Sequence, residues 1–541
     1  MNRLKRHLDV LIAVGLILMT AICVFTYSLK IRRPYYNTIS LKHHQWNLAV
    51  PILFVNNWLR ENPFKIYFAM LYNPASVEFT SLHSRELYVS YPVGAIFPIY
   101  LFSLLLRQEP TIPIIMTIAL INHYFTALFL GLFVFVLLKK LRLSTFAAFV
   151  FSLIPILLEL LLPSPLYYFQ QAYFTDQAVL LPLVLFIFLE LWLDFYENKK
   201  IRFAVSTLQV IVIFYGVLTD WLFLILLIAF YIKRFITNYR HRLIKPFIPG
   251  TLIFFLPAIL ALGLYTIQIS FLGEMSQLSE RFLSRTGIWN DGVNPRAFAF
   301  AIKSYIQNGY GETGLWLLMI SAVIIYLIGI FMYIAYRKGR LKINRNTGLL
   351  YIYNCMFILV PLTQIVFFKV HSANHDFSVL KFSLTIAIVP FVLLPVLISL
   401  LFRHTTFRIL PLVMLAAAIL YLRGIFPLYK IFFPLPDPSI QNIGAAVRSC
   451  TTFNDVVFSP QFEIGPYPPQ MLAFSLKRVY KIYSLSDIRN KIKSIRGDHS
   501  IVVIFFSNPE GQYDYVEKIA IEKIRCGEYF LYRLDSKKIN G

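Results

Sequence analysis

YIYNCMFILVPLTQIVFF, KVHSANHDFSVLKF and SLTIAIVPFVLLPVLISLLF, contiguous over residues 351–402, decide the fold. The outer two runs are each apolar for about twenty residues, enough for a helix to cross roughly 30 Å of hydrocarbon. Backbone groups in lipid need internal partners, so such runs are helices rather than strands. The short gap at 369–382 holds two lysines, two histidines and an aspartate.

The same grammar extends over most of the 541 residues. Charged residues are 14% of the chain and mean hydropathy is +0.64, whereas a soluble domain carries about a quarter charged residues. The sequence therefore specifies an all-α polytopic membrane protein. Its net charge of +24 sits in short loops between spans, and no phosphate-binding loop or RNA-binding signature accompanies it, which argues against nucleic acid.

Short basic loops mark the cytoplasmic side. Here they are MNRLKRH at the start and the loops at 139–142, 197–202, 233–245, 336–345 and 403–408. Placing all of them inside puts spans at 10–28, 113–138, 143–163, 177–195, 204–218, 221–232, 249–268, 313–335, 348–368, 379–401 and 408–427. That is about eleven crossings with the N-terminus cytoplasmic and the tail outside. No small-residue cleavage site follows 10–28, which reads as a retained anchor. YPVGAIFPIYLFSLLL at 91–106 is short and proline-bearing, and reads as interfacial or re-entrant.

Long loops then lie outside: 29–112, 163–176, 273–312 and 369–382. The first contains a surface helix, with Leu48, Pro51, Ile52, Val55 and Leu59 on one face and Trp46 and Trp58 as interfacial anchors. From 437 to 541 strand-like and helix-like runs alternate, predicting a small extracytoplasmic α/β domain with a largely parallel sheet behind a transmembrane domain of 1–436. Cys450 and Cys526 lie in that tail and pair if it faces an oxidising space.

Ionisable groups at the outer ends of spans are the candidate chemistry, since burying them in lipid is costly. Asp176 starts a span in AYFTDQAVLL; a helix cap or a functional carboxylate each accounts for it. Tyr167, Tyr168, Gln170, Gln171 and Tyr173 beside it suit a sugar-lined pocket. His43 and His44 read as proton acceptor, metal ligand or solvated turn; no third ligand stands at helical spacing, so no metal is expected. Asp220 is a substrate-binding group or a turn cap beside Trp221. Glu86 pairs with Arg85 or contacts substrate, and Arg281 with Arg285 clamps a phosphate or forms a solvated face. Lys30, Arg32 and Arg33 meet lipid headgroups or a lipid phosphate. In the opening gap, Lys369, His371, His375, Asp376 and Lys381 gather at the outer surface. There Asp376 caps a helix, and Lys381 needs to snorkel or pair, for instance with a lipid phosphate.

In this order the segments resemble the GT-C superfamily of membrane glycosyltransferases, in the branch of protein O-mannosyltransferases and the bacterial lipid A aminoarabinose transferase. The resemblance spans about 1–400: one span, a long outer loop ending in YPVGAIFP, a tyrosine-rich loop closing on TD, and HDF before an apolar span. It implies transfer of a sugar from a polyprenyl-phosphate donor to a lipid, glycan or protein acceptor on the outer side, with inversion and without a nucleotide or other cofactor. The family's early acidic residue is missing, because no Asp or Glu precedes Glu61 after the first span. A histidine, Asp176 or Glu86 then serves as base, or the activity is altered or lost. A flippase, a polysaccharide polymerase and a non-catalytic assembly factor are the competing classes; no internal repeat supports a transporter.

Overall fold

A computed structural model describes residues 2–41, 44–195, 198–240, 247–288, 293–338, 345–402, 409–433, 437–495, 499–506, 508 and 511–540. His43, the basic loop at 403–408 and the boundary at 436 lie outside the described residues.

Among the described residues, nine helices are long and apolar enough to cross a membrane, from Leu8–Tyr35 to Leu410–Phe432. A tenth span arises if Thr145–Leu161 and Pro163–Gln171 count as one, broken by a 56° bend. The chain is a multi-pass membrane protein. The remaining expected crossing, 221–232, falls in the helix Leu222–Arg240.

Local chemistry sets the ends. The Ser144 side chain accepts from the amide of Ala147, and Asn198 and Asn294 cap their helices in the same way. Leu162 precedes Pro163 and is therefore extended, at φ −60° and ψ 138°, which ends one helix and turns the next across the bundle. The expected loop at 163–176 is thus mostly the buried helix Pro163–Gln171. The described residues of the expected loop at 273–312 are mostly helical too, with Met275–Thr286 and then Pro295–Arg337, which breaks at Gly311 (φ 75°).

Arg32 is 1% exposed and gives its guanidinium to the carbonyls of Leu166 and Pro165 and to His123 Nδ1. It ties the first span to the 163–171 helix, so only Lys30 and Arg33 of that basic group face outward.

The tail forms a five-stranded sheet: β1 Asp455–Ser459, β2 Val479–Lys481, β3 Ser500–Phe505, β4 Ala520–Cys526 and β5 Tyr529–Leu534, in the order β2-β1-β3-β5-β4. β1 runs parallel to β2 and β3, but β5 is antiparallel to both β3 and β4, so the sheet is mixed rather than largely parallel. The reason is the tight Cys526–Tyr529 connection, with Gly527 at φ 64°: it has no room for a crossover helix and can only make a hairpin. A disulfide joins Cys450 to Cys526.

The helix Trp46–Glu61 corrects another expectation. Residues 47–58 are all buried, because one hydrophobic core combines Leu48, Val55 and Trp58 with Leu472, Val502 and Ile440 of the tail. Trp58 Nε1 donates to the carbonyl of Ala69 instead of anchoring at an interface. The Gln470 amide donates to the carbonyl of Ser40, and Glu109 receives both Arg60 and Arg448.

Candidate active site

Thr175 opens the helical run that carries Asp176, just beyond the end of the helix Pro163–Gln171. Asp176 is 1% exposed and its Oδ1 receives Lys381 Nζ, itself buried. Lys381 therefore pairs within the protein rather than snorkelling. It ends a 3₁₀ segment, Asp376–Lys381, that leads into a span. Asp220, fully buried, accepts from the amide of Leu222 (2.7 Å) and from Gln364 (2.9 Å) and faces Asp176, Thr175 and Lys381. Burial, reinforced by the neighbouring Asp176, pushes its carboxyl up to about 6.

Next to this group lies a cavity of about 110 Å³, lined among others by Trp46, Tyr88, Tyr91, Tyr173, Asp176, Arg285, His371 and His375. Several of its polar atoms are buried with no hydrogen-bond partner in the protein: Tyr173 Oη, Arg285 Nη1, His371 Nε2 and His375 Nδ1. Buried polar groups are normally satisfied, so their convergence on one cavity marks a place for a polar ligand. The Arg285 guanidinium stacks over Tyr91 at 4.6 Å and hydrogen-bonds Tyr88. Burial, with Arg285 and His375 nearby, holds His371 well below the usual imidazole range. Burial, then His44, lowers His375 to about 4. Both rings are neutral near pH 7.

His44 sits one layer back. Its Nε2 is 3.1 Å from Asp376 Oδ1, which also accepts from Tyr168 Oη at 2.5 Å, and its ring meets that of His375 at 5.7 Å. Asp376 is thus engaged by side chains and does not cap the segment it begins.

Of the residues expected from sequence, Asp176, Tyr173, Arg285, His371 and His375 line the cavity. Asp220 and Lys381 back it, and His44 with Asp376 flanks it. Arg281 is exposed one helical turn from Arg285. Lys369 is half-buried at the start of its short helix and does not line the cavity. Glu86 is exposed outside it, and Arg85 pairs with Glu61 at 2.7 Å instead. Gln170 and Gln171 bond the carbonyls of Arg32 and Tyr35, so they serve packing rather than a sugar pocket. Sequence reasoning missed Gln364, Tyr88 and Tyr91; the only signal was the tyrosine pair in ELYVSYPVG just before the re-entrant segment.

The architecture defines a class: the chain has a GT-C fold. Among solved structures it is similar to ArnT from Cupriavidus metallidurans bound to undecaprenyl phosphate, at 9% identity over 97% of this chain and 98% of that one, with a TM-score of 0.54. Apo ArnT gives 10% identity over the same shares and a TM-score of 0.50. The apo oligosaccharyltransferase of Archaeoglobus fulgidus gives 11% identity over 92% of this chain and 70% of that one, with a TM-score of 0.48. No family model matches the sequence, and no curated protein does.

Proposed function

We propose that the chain is a glycosyltransferase that moves a sugar from a polyprenyl-phosphate donor to an acceptor on the extracytoplasmic side of the cell membrane, with inversion. One observation carries the reading. Segment 91–98 has two faces: Tyr91, Pro92, Ala95 and Ile96 line the polar cavity, while Val93, Gly94, Phe97 and Pro98 line an apolar groove of about 630 Å³. Phe64, Leu101, Phe214, Leu264 and Phe271 complete that groove. A long apolar tail beside a polar head is what a lipid-linked sugar presents, and the fold shared with ArnT, whose structure holds undecaprenyl phosphate, fits the same ligand class.

In this reading the isoprenoid chain fills the groove, and the phosphate takes hydrogen bonds from Arg285 Nη1 and the ring nitrogens of His371 and His375. An acceptor oxygen attacks the anomeric carbon as the bond to the phosphate oxygen breaks, and polyprenyl phosphate leaves with the electron pair. The acceptor's proton passes to Asp176, whose carboxylate Lys381 orients. Arg285 meets the charge that grows on the leaving phosphate. His44 acts through Asp376 and His375, and His43 is its neighbour in sequence. Among the described residues no group of three or more His, Cys, Asp or Glu is placed to hold a metal ion. Residues 437–541 form the extracytoplasmic part beside a transmembrane part of 1–436; the Cys450–Cys526 disulfide supports an oxidising side for it.

Purified protein in detergent, given polyprenyl-phosphate sugars and a panel of lipid, glycan and peptide acceptors, tests the reading through release of polyprenyl phosphate. Release that disappears in Asp176→Asn supports it. No release from any donor, together with gradient-driven lipid movement in vesicles, replaces it with a flippase.

A further inference from the structure

Outside the inner cavity lies a second, larger space of about 530 Å³. The two share Trp46, Tyr88 and Arg285, so they adjoin. The outer space has three walls: the first loop, the helix Met275–Thr286, and the Tyr467–Pro469 segment of the tail. Its chemistry is one-sided. Arg281 and Arg285 stand four residues apart on one helix face, and among the described residues no Asp or Glu lines the space. Arg285 Nη1 goes to the donor phosphate in the reading above, which leaves the exposed Arg281 as the cation of this outer wall. Tyr72 meets Tyr467 at 5.1 Å and Tyr88 at 6.2 Å between ring centroids, and Trp46 completes an aromatic wall. Tyr467 is 61% exposed, so its face is open to a ligand.

We propose that this vestibule binds the acceptor, and that the acceptor is a glycan bearing an acidic group; this rests on the glycosyltransferase reading above. Aromatic faces pack against the apolar faces of sugar rings, and Arg281, which lines this space and not the inner cavity, reads a carboxylate or phosphate. The apolar groove lies on the other face of segment 91–98 from the inner cavity, so in this reading donor and acceptor approach from different sides. The tail thereby contributes directly to recognition, since Tyr467 completes the acceptor site. Without the tail the space would lose one wall.

The test uses the full chain in phosphatidylcholine nanodiscs and follows Trp46 fluorescence, calibrated against Trp46→Phe. The probes are a hyaluronan tetrasaccharide and chitotetraose, both β-linked and comparable in size, of which only the first carries carboxylates. We expect the acidic probe to bind about tenfold more tightly, the worth of one charge-assisted contact. Arg281→Gln should erase that preference, and Tyr467→Ala should weaken both probes while the thermal midpoint stays within a degree or two. Equal binding of the two probes overturns the proposal, as does a preference that survives Arg281→Gln. Displacement by an acidic hexapeptide or by inorganic phosphate at the same concentration also overturns it, because the site would then read peptide or bare anion. The readout needs no turnover, so absence of sugar transfer bears on the enzymatic reading, and loss of selectivity bears on this one.

Discussion

Lys381 and Asp176, 205 residues apart in the chain, form an ion pair with both side chains buried. Such a pair ties the start of one span to the start of another and leaves neither charge to spare. Breaking it from one side strands the other charge, at a cost of about 3–5 kcal/mol. Lys381→Met should therefore destabilise strongly, and Asp176→Asn less, since an amide still accepts from the ammonium. The double variant Asp176→Asn with Lys381→Met should recover most of the stability lost in Lys381→Met while remaining inactive. Thermal midpoints and polyprenyl phosphate release, measured on the same preparations, check this. Recovery of activity in the double variant would remove Asp176 from the chemistry.

The pair also marks the limit of what the sequence discloses. Spans were legible because apolar runs of the right length have one solution in lipid. Asp176, His375 and Lys381 were legible as ionisable groups where such groups are costly. Their partners were not, because a pairing across 205 residues leaves no local trace. The same holds for Gln470 reaching Ser40 across 430 residues. The helix Trp46–Glu61 displays a one-sided apolar stripe suited to a membrane surface, yet the tail covers its other side. The strand directions of the tail failed for a different reason: an alternating pattern marks strands but not their polarity, and only the Gly527 turn carried that information.

Gly94 sets the depth of the segment between cavity and groove. A Cβ there would lie 2.4 Å from the carbonyl oxygen of Leu218 and 2.8 Å from the amide nitrogen of Thr219, next to Asp220. Backbone cannot yield as a side chain does, so Gly94→Ala should displace the segment and cost about 1–3 kcal/mol. Turnover should fall further than stability alone requires, since Tyr91 moves with it. Gly263→Ala is the control: nothing lies within 4 Å of its Cβ, and it should be neutral or slightly stabilising. Equal behaviour of the two variants would refute the close approach.

Two groups beside the cavity give opposite pH signatures. Asp220 rises from 3.8 to about 6 in the folded protein, so the native state holds its proton more tightly than the unfolded chain does. Its burden on stability is full above pH 6 and is relieved as pH falls toward 3.8. His375 falls from 6.5 to about 4, so the unfolded chain takes the proton first, and stability is lost as pH drops through that window. Relative to the unsubstituted protein, Asp220→Asn should gain several degrees in thermal midpoint at pH 7.5 and progressively less toward pH 4.5. His375→Gln should show the reverse trend, gaining only on acidification. Parallel pH curves for all three proteins would contradict both assignments.

The Cys450–Cys526 disulfide closes a loop with a sequence separation of 76 residues, joining the helix Pro438–Cys450 to strand β4. A crosslink of that span restricts the unfolded chain by about 4 kcal/mol. Replacing both cysteines by serine should leave the spans folded and make the tail sensitive to protease well below the temperature at which the intact protein is cut. Because Tyr467 belongs to the released part, the acidic-glycan preference should weaken in the same temperature range. The bond also reports sidedness. A membrane-impermeant maleimide applied to denatured protein, before and after reduction, should label two additional thiols only after reduction. If instead both cysteines are labelled without reductant in protein taken directly from cells, the tail lies on a reducing side and the extracytoplasmic placement of the site falls with it.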